Sequence, residues 1–562
     1  MFSSAGKLVA RRSLSAISNG RFALPIPKGE NFLHYAPGSA ERLALEQALR
    51  QVKSEVVEIP CIVNGKEFFT GDVHAQTMPS NHSHTLAKFH RATPQVIQEA
   101  IVAAAVAKAD WASMPFEHRA MIFRKAADLI ASKYRAQLNA STMLGTGKTV
   151  WQAEIDSAVE TIDFLRLNTV FAQDIYAMQP SLNSTNTWNR LEYRELEGFV
   201  VAISPFNFCA IGANLPTAPA LMGNVCLWKP ASTSVLSNYV TYKILLEAGL
   251  PPGVISFLPS AGKVAGEAIN HRDFAGLHFT GSTATFNQLW QQIAGNLGKY
   301  KSYPRIVGET GGKNFHLMHP SADVDHAVNS TVRAAFEYQG QKCSACSRLY
   351  VPRSLWEQGG IKVKLAENVG RIKMGQPDDF STFMTAVIDA SAFKDHKAYI
   401  DTAKMSPECA ILAGGTCDDS VGFFVEPTVV VTTNPSYTTM VEEIFGPVLT
   451  VYVYDDSGAS YWQDVLALVD STSPYALTGA VFASERSALV SASARLRHAC
   501  GNLYLNDKST GAVVGEQPFG GGRASGTNDK AGSSLNLLRW VSPQTIKENT
   551  VPLTCWDYPS MK

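Results

Sequence analysis

Between residues 224 and 259 the chain spells out a strand, a helix and a strand in immediate succession. NVCLWKP (224–230) is a short apolar run, and the residues after it place Val235, Tyr239, Tyr242 and Leu246 on one helical face. Gly249 and the Pro251-Pro252 pair stop that helix, and VISFLP (254–259) opens the next strand. Two strands joined by a crossover helix are parallel neighbours in one sheet. The same alternation continues along the chain, so an α/β fold built on a parallel sheet is expected. A second unit, GLHFTGSTATFNQLWQQIAGNLG, runs from a strand through Thr280, Gly281 and Ser282 into a helix. Its first turn presents unpaired N–H groups suited to a phosphate, and an ordinary helix cap by Ser282 or Thr283 is the competing reading.

With 562 residues and roughly 100–200 residues per domain, two to four domains are expected. Lys plus Arg and Asp plus Glu number 49 each. No overall field therefore recruits nucleic acid or an anionic membrane, and a small-molecule partner is expected. The longest apolar stretch, residues 210–228, contains two Asn and two Pro, which argues against membrane insertion. Nine cysteines, odd in number and widely scattered, do not suggest a disulfide framework and point to a reducing compartment. Residues 1–25 are rich in Arg and Ser and free of acids, the pattern of a mitochondrial import peptide, with a basic tail as the alternative.

Some motifs are decoys. LGTGKT (144–149) resembles a phosphate-binding loop, but the required upstream glycine is Thr142. The HSH at 82–84 lacks further ligands nearby, and no metal site is expected. In QGQKCSACSR (339–348) Cys343 and Cys346 form a C-x-x-C. No second C-x-x-C completes a zinc site, and the pair lies too deep in the chain for a small redox domain. A buried structural pair and a single nucleophile beside a bystander remain open. Around the pair stand VGETGGKNFHLM (307–318) with Glu309, a strand ending in Ser204-Pro205-Phe206-Asn207-Phe208, VEEIFGPVLTVYVY (441–454) and STGAVVGEQPFGGGRASG (509–526). An acid, an amide and a thiol, each on a turn after a strand, are expected to meet at a sheet's carboxyl edge.

In PFNF, the KP-A/S turn, FTGS, GETGGKN, GQKCSA, EEIFGPV and QPFGG, in that order, the chain resembles the aldehyde dehydrogenase superfamily from about residue 60 onward. FEYQGQKCSACSRLYVP and RASGTNDKAG resemble the branch that oxidises glutamate γ-semialdehyde. The resemblance implies a Rossmann-like NAD-binding domain over 26–315, an α/β catalytic domain over 316–530 and a small β oligomerisation element. That element would combine a hairpin at 178–198 with a C-terminal segment at 531–562, giving a homodimer or higher homo-oligomer in the mitochondrial matrix.

For the site, the resemblance implies Cys343 as nucleophile, Asn207 as oxyanion donor and Glu309 as the base for thioester hydrolysis, with Cys346 a bystander. NAD would meet Ser204 and Lys229 at the adenosine end, the turn Gly281, Ser282, Thr283, Ala284 and Thr285 at the pyrophosphate, Glu443 at the ribose and Phe445 at the nicotinamide. Ser232 stands where many members carry an acid that selects the free 2′-hydroxyl, so NADP is expected to be tolerated. Phe208 and Phe519 would flank the substrate chain, Ser344, Gly511 and Ala512 would hold its carboxylate, and Glu160 would meet its ammonium. An oxidation of succinic semialdehyde, which has no ammonium, and a catalytically silent protein on the same scaffold are the rival readings.

Overall fold

A computed structural model describes residues 22–562, apart from the side chains of residues 263–265. The import signal expected over residues 1–25 lies outside the described residues as far as residue 21. From there the chain is already engaged, with Leu24 buried and Glu30 paired to Arg135 at 2.8 Å and to Arg166 at 2.7 Å.

Two seven-stranded sheets organise the molecule. The first runs in the spatial order Arg305–Glu309, Phe274–Thr280, Phe199–Ile203, Cys226–Lys229, Ile255–Phe257, Cys61–Val63, Lys66–Phe68. Its first five strands are parallel and its last two antiparallel. The parallel part of the sheet starts in the middle, at Phe199–Ile203, winds outward one way toward the edge already occupied by Cys61–Val63 and Lys66–Phe68, then returns to add Phe274–Thr280 on the other side. The order therefore reverses between these two neighbours, which leaves a crevice beyond their carboxyl ends. The register pairs Ile203 with Phe279, so Ser204 and Thr280 emerge side by side at that crevice.

The expected strand–helix–strand unit is present as Cys226–Lys229, Val235–Ala248 and Ile255–Phe257, and Gly249 caps the helix with φ 108°. The single apolar face read from the sequence is too narrow. Ser237, Asn238 and Thr241 are buried as well, because this helix is covered by neighbouring helices in addition to the sheet.

The second sheet has the order Cys409–Ala413, Thr428–Thr432, Val448–Tyr454, Cys346–Pro352, Asn314–Met318, Thr478–Phe482, Asn502–Leu505, parallel except for its first strand. Every residue of Asn314–Met318 and Thr478–Phe482 is buried, as central strands covered on both faces require. The chain passes from the first sheet to the second through Thr310–Lys313 alone, from the end of the strand at Glu309 to the start of the next at Asn314. The carboxyl edge of one sheet thus joins the amino edge of the other.

The segment at 178–198 forms no hairpin of its own. It contributes one strand, Thr187–Arg194, whose antiparallel partner is Ser542–Asn549 near the far end of the chain. Before reaching that ribbon the C-terminal segment returns to the first domain, where Leu537, Trp540 and Val541 are buried and the Asn224 side chain donates to the Trp540 carbonyl at 2.8 Å. No helix among the described residues is long and apolar enough to cross a membrane.

Candidate active site

The helix Val324–Phe336 ends in a tight turn, Glu337–Gly340, in which Tyr338, Gln339 and Gly340 all have positive φ (54°, 57° and 67°). For two bulky residues this left-handed conformation is costly and persists only where the surroundings enforce it. Here they do. The buried Gln339 amide donates to Gly147 O (3.1 Å), Thr385 Oγ1 (3.0 Å) and Ala386 O (2.9 Å) and accepts from Thr385 N at 3.1 Å. Gly340 packs so closely on the loop at 446 that a Cβ would stand 2.3 Å from the Gly446 carbonyl.

Cys343 follows this turn and precedes the strand Cys346–Pro352. The thiol is therefore at the amino edge of the second sheet, and the expectation of a turn after a strand is corrected for this residue. The run LYVP, apolar and buried, makes its strand after the thiol, and the helix Val324–Phe336 leads into it. Asn207 and Glu309 do stand at carboxyl ends in the first sheet, just after Phe199–Ile203 and at the end of Arg305–Glu309. The opposed edges bring all three together. Asn207, buried, donates from Nδ2 to the carbonyl of Gln341 at 3.1 Å. Burial, then the carboxylates of Glu309 and Glu443, push the Cys343 thiol far up. Burial also raises Glu309 well above an ordinary carboxyl, with Lys530 opposing and Asp529 adding to the shift; its Oε2 has no protein partner. Burial thus favours the protonated thiol at Cys343 and opposes ionisation of Glu309.

Cys346, three residues on, is 1% exposed and packs in the core with Phe336, Leu349 and Val451. Both thiols are free, and no cluster of ligand-type side chains able to hold a metal occurs among the described residues.

Of the residues expected at the cofactor, Ser204 and Gly281–Thr285 follow the two strands that flank the reversal, Lys229 ends the next strand, and Glu443 and Phe445 precede the strand Val448–Tyr454 of the second sheet. Ser204 Oγ is held by Trp228 Nε1 at 2.6 Å. Burial, then Arg91, lowers Lys229 to about 8, and among the described residues its Nζ donates only to the carbonyl of Pro230, at 3.5 Å. Ser282 is a true N-cap, its hydroxyl accepting from Thr285 N at 3.2 Å; Ala284 and Thr285 are exposed beside it and Gly281 and Thr283 half-buried. The capping alternative is therefore realised at Ser282, on the same open helix end. Glu443, raised to about 7 by burial, accepts from Gly312 N at 2.7 Å, and a Cβ on Gly311 would lie 2.0 Å from its Oε2. Phe445, at φ 57°, turns its ring edge-on to Phe206 at 5.8 Å. Gly311 leaves room for the Glu443 carboxylate, and the open helix end at Ser282 together with the weakly bonded Lys229 ammonium suits the phosphates and hydroxyls of a dinucleotide.

On the substrate side Ser344, buried, shares a 2.8 Å hydrogen bond with Thr510, which places its hydroxyl next to Gly511 (φ 93°) and Ala512. Phe519 is half-buried on the same loop. Glu160 ends the π-helical turn Glu154–Glu160. Burial, then Asp156, raises it to about 8, with Lys148 and Lys342 acting the other way. Those lysines are already engaged: Lys148 with Asp156 at 2.7 Å and Lys342 with Glu337 at 3.1 Å. Glu160 makes neither a hydrogen bond nor an ion pair among the described residues.

Several residues that organise the site carry no sequence signal for it. Asn314 lies within GETGGKN, yet its task, bracing the thiol turn through Cys343 O and Ala345 O, depends on a strand pairing. Lys148 belongs to a motif dismissed as a decoy. Lys530, whose Nζ meets Gly501 O at 2.9 Å and Gly520 O at 3.0 Å, supports the loop that touches Glu309.

A model of the aldehyde dehydrogenase family matches residues 70–546. The chain belongs to the aldehyde dehydrogenase family. It is 57% identical over 556 residues to the mitochondrial delta-1-pyrroline-5-carboxylate dehydrogenase of Dictyostelium discoideum, covering 98% of this chain and 99% of that protein. The mitochondrial human protein of the same designation is 52% identical over 535 residues, 95% of this chain and 94% of that one. Among solved structures, the Mycobacterium tuberculosis delta-pyrroline-5-carboxylate dehydrogenase bound with NAD superposes with a TM-score of 0.93 at 45% identity, over 97% of this chain and 100% of that chain. A Thermus 1-pyrroline-5-carboxylate dehydrogenase with bound NAD gives 0.87 at 30% identity, over 94% and 100%.

Proposed function

We propose that this chain is a mitochondrial NAD-dependent dehydrogenase that oxidises L-glutamate γ-semialdehyde, the open form of 1-pyrroline-5-carboxylate, to L-glutamate in proline degradation. The observation that carries the substrate is Glu160, a half-buried acid without a hydrogen bond or ion pair among the described residues, within electrostatic reach of Lys148 and Lys342, which are already matched by Asp156 and Glu337. An ammonium completes that set. Ser344 with the 511–512 backbone takes the α-carboxylate, and Phe208 and Phe519 flank the carbon chain. The relatives' designations support the same assignment.

The chemistry begins as the Cys343 proton passes to solvent and the sulfur attacks the aldehyde carbon. As the C–S bond forms, the carbonyl π pair moves to oxygen, where the Asn207 amide and the Cys343 N–H receive it. NAD, held by the residues of the strand-reversal crevice, supplies the hydride acceptor. The product on Cys343 is a thioester. Glu309 then takes a proton from water as that water adds to the thioester carbonyl, and the thiolate departs with release of glutamate. Ser232, half-buried and uncharged beyond Lys229, raises no barrier to a 2′-phosphate, so NADP is tolerated. The ribbon of Thr187–Arg194 and Ser542–Asn549 is flanked by exposed Leu182, Trp188, Leu553 and Trp556, an apolar surface that supports assembly with a second copy. The relatives designated mitochondrial and the basic N-terminus support delivery to the mitochondrial matrix.

The test is steady-state NADH formation with glutamate γ-semialdehyde, succinic semialdehyde and hexanal. The first should lead in kcat/KM by at least about tenfold; a preference for either of the others would refute the substrate assignment.

A further inference from the structure

LGTGKT, which binds no phosphate by its spacing, lies at the centre of a different arrangement. Lys148 and Asp156 form an ion pair 2.7 Å long with each side chain 1% exposed. The Asp156 carboxylate also accepts from Cys209 N and Ala210 N, both at 2.9 Å, the first two residues of the helix Cys209–Leu221. Asn207 and Phe208 immediately precede that helix, so the carboxylate anchors the arm that carries the oxyanion donor. Lys148 Nζ lies 4.1 Å from the centre of the Phe208 ring and 4.7 Å from that of Tyr338 in the nucleophile turn. Gly147, next in the chain, accepts from Gln339 of the same turn. One buried segment therefore touches both halves of the oxyanion site, the amide arm from the first sheet and the thiol turn of the second.

We propose that Lys148 and Asp156 are positioning residues that set the Asn207 amide against Cys343, holding the oxyanion site in register before substrate arrives. The proposal rests on the catalytic reading above. A buried pair with four further contacts is a costly way to stabilise a domain, since an apolar pair of the same volume does as well. Its contacts fall on the three residues that follow Asn207 and in the turn before Cys343. Preorganised donors act only when their geometry is held within a fraction of an ångström.

The experiment uses the full chain with Lys148→Met and Asp156→Asn, each also in an Asn207→Ala background. Pre-steady-state NADH formation reports acylation, and fluorescence titration reports NAD affinity. Each variant should slow the burst about tenfold to a hundredfold while NAD affinity and the KM for aldehyde change by less than about threefold. In the Asn207→Ala background the further loss should shrink to less than about threefold, because the positioned group is gone. Equal losses in both backgrounds, or an unchanged burst in folded protein, would overturn the proposal. Loss of fold in both variants would also overturn it, since the pair would then serve the domain and not the arm. A wild type that forms no NADH from any aldehyde refutes the catalytic reading instead.

Discussion

Asn314 holds Cys343 by its backbone: the Asn314 amide donates to the carbonyl of Cys343 at 2.7 Å and to that of Ala345 at 2.8 Å, while its oxygen accepts from Thr478 N at 3.0 Å. The thiol turn is thereby fastened to an interior strand of the second sheet, whose first residue, Asn314, is also the register partner of Cys346. Cys343→Ser should abolish turnover, whereas Cys346→Ser, a change at a packed position, should keep most of it with a modest loss of stability. Steady-state rates and thermal unfolding of both variants decide this; equal inactivation of folded protein would restore a role for both thiols.

Glu309→Gln should separate the half-reactions. Its task begins once the thioester exists, so rapid mixing should show a burst of NADH followed by a slow phase. A uniformly slow trace without a burst would place Glu309 at thiol activation.

The pH profile of deacylation follows from the groups facing Glu309. The base works only when deprotonated, and burial raises its pKa, so hydrolysis should fall as pH drops below that raised value. Lys530 favours the anion and Asp529 disfavours it. Lys530→Met should move the rising limb to higher pH, and Asp529→Asn should move it lower; the nearby Cys343 is in thioester form during this step. Shifts in the same direction for both variants would show that the loop acts on Glu309 by shape and not by charge.

Substrate choice should depend on Glu160. Losing a charge-assisted hydrogen bond costs about 1.5–3 kcal/mol, roughly tenfold to a hundredfold in kcat/KM, and only the amino-bearing substrate has that bond to lose. Glu160→Ala should therefore narrow the gap between glutamate γ-semialdehyde and succinic semialdehyde. Burial raises this carboxyl to about 8, so the KM for the amino substrate should fall as pH rises toward that value while the KM for succinic semialdehyde stays level. Parallel changes for both substrates would remove Glu160 from the ammonium site.

Cofactor selectivity should respond to residue 232. Ser232→Glu should depress turnover with NADP far more than with NAD, because a carboxylate repels the 2′-phosphate alone. Equal losses with both cofactors would show that the side chain does not face the ribose.

What the sequence determined by itself was local and ordered. The apolar run before Lys229, the helix stop at Gly249 and the cap at Ser282 are set by residues within a turn or two of each other, and they form as read. Tertiary structure decided where these pieces meet. Cys343 stands before its strand and Glu309 at the end of another, and only the joining of two opposed sheet edges through Thr310–Lys313 brings them together. Thr187–Arg194 is a polar strand with one weakly buried face; nothing local names Ser542–Asn549 as its partner, since strand pairing is set by what remains to be covered once both domains have folded. Lys148 is the sharpest instance. A lysine in a glycine-bearing loop reads as solvated or phosphate-bound, yet it is buried here because Asp156 and the rings of Phe208 and Tyr338, brought in from three other segments, together replace its water.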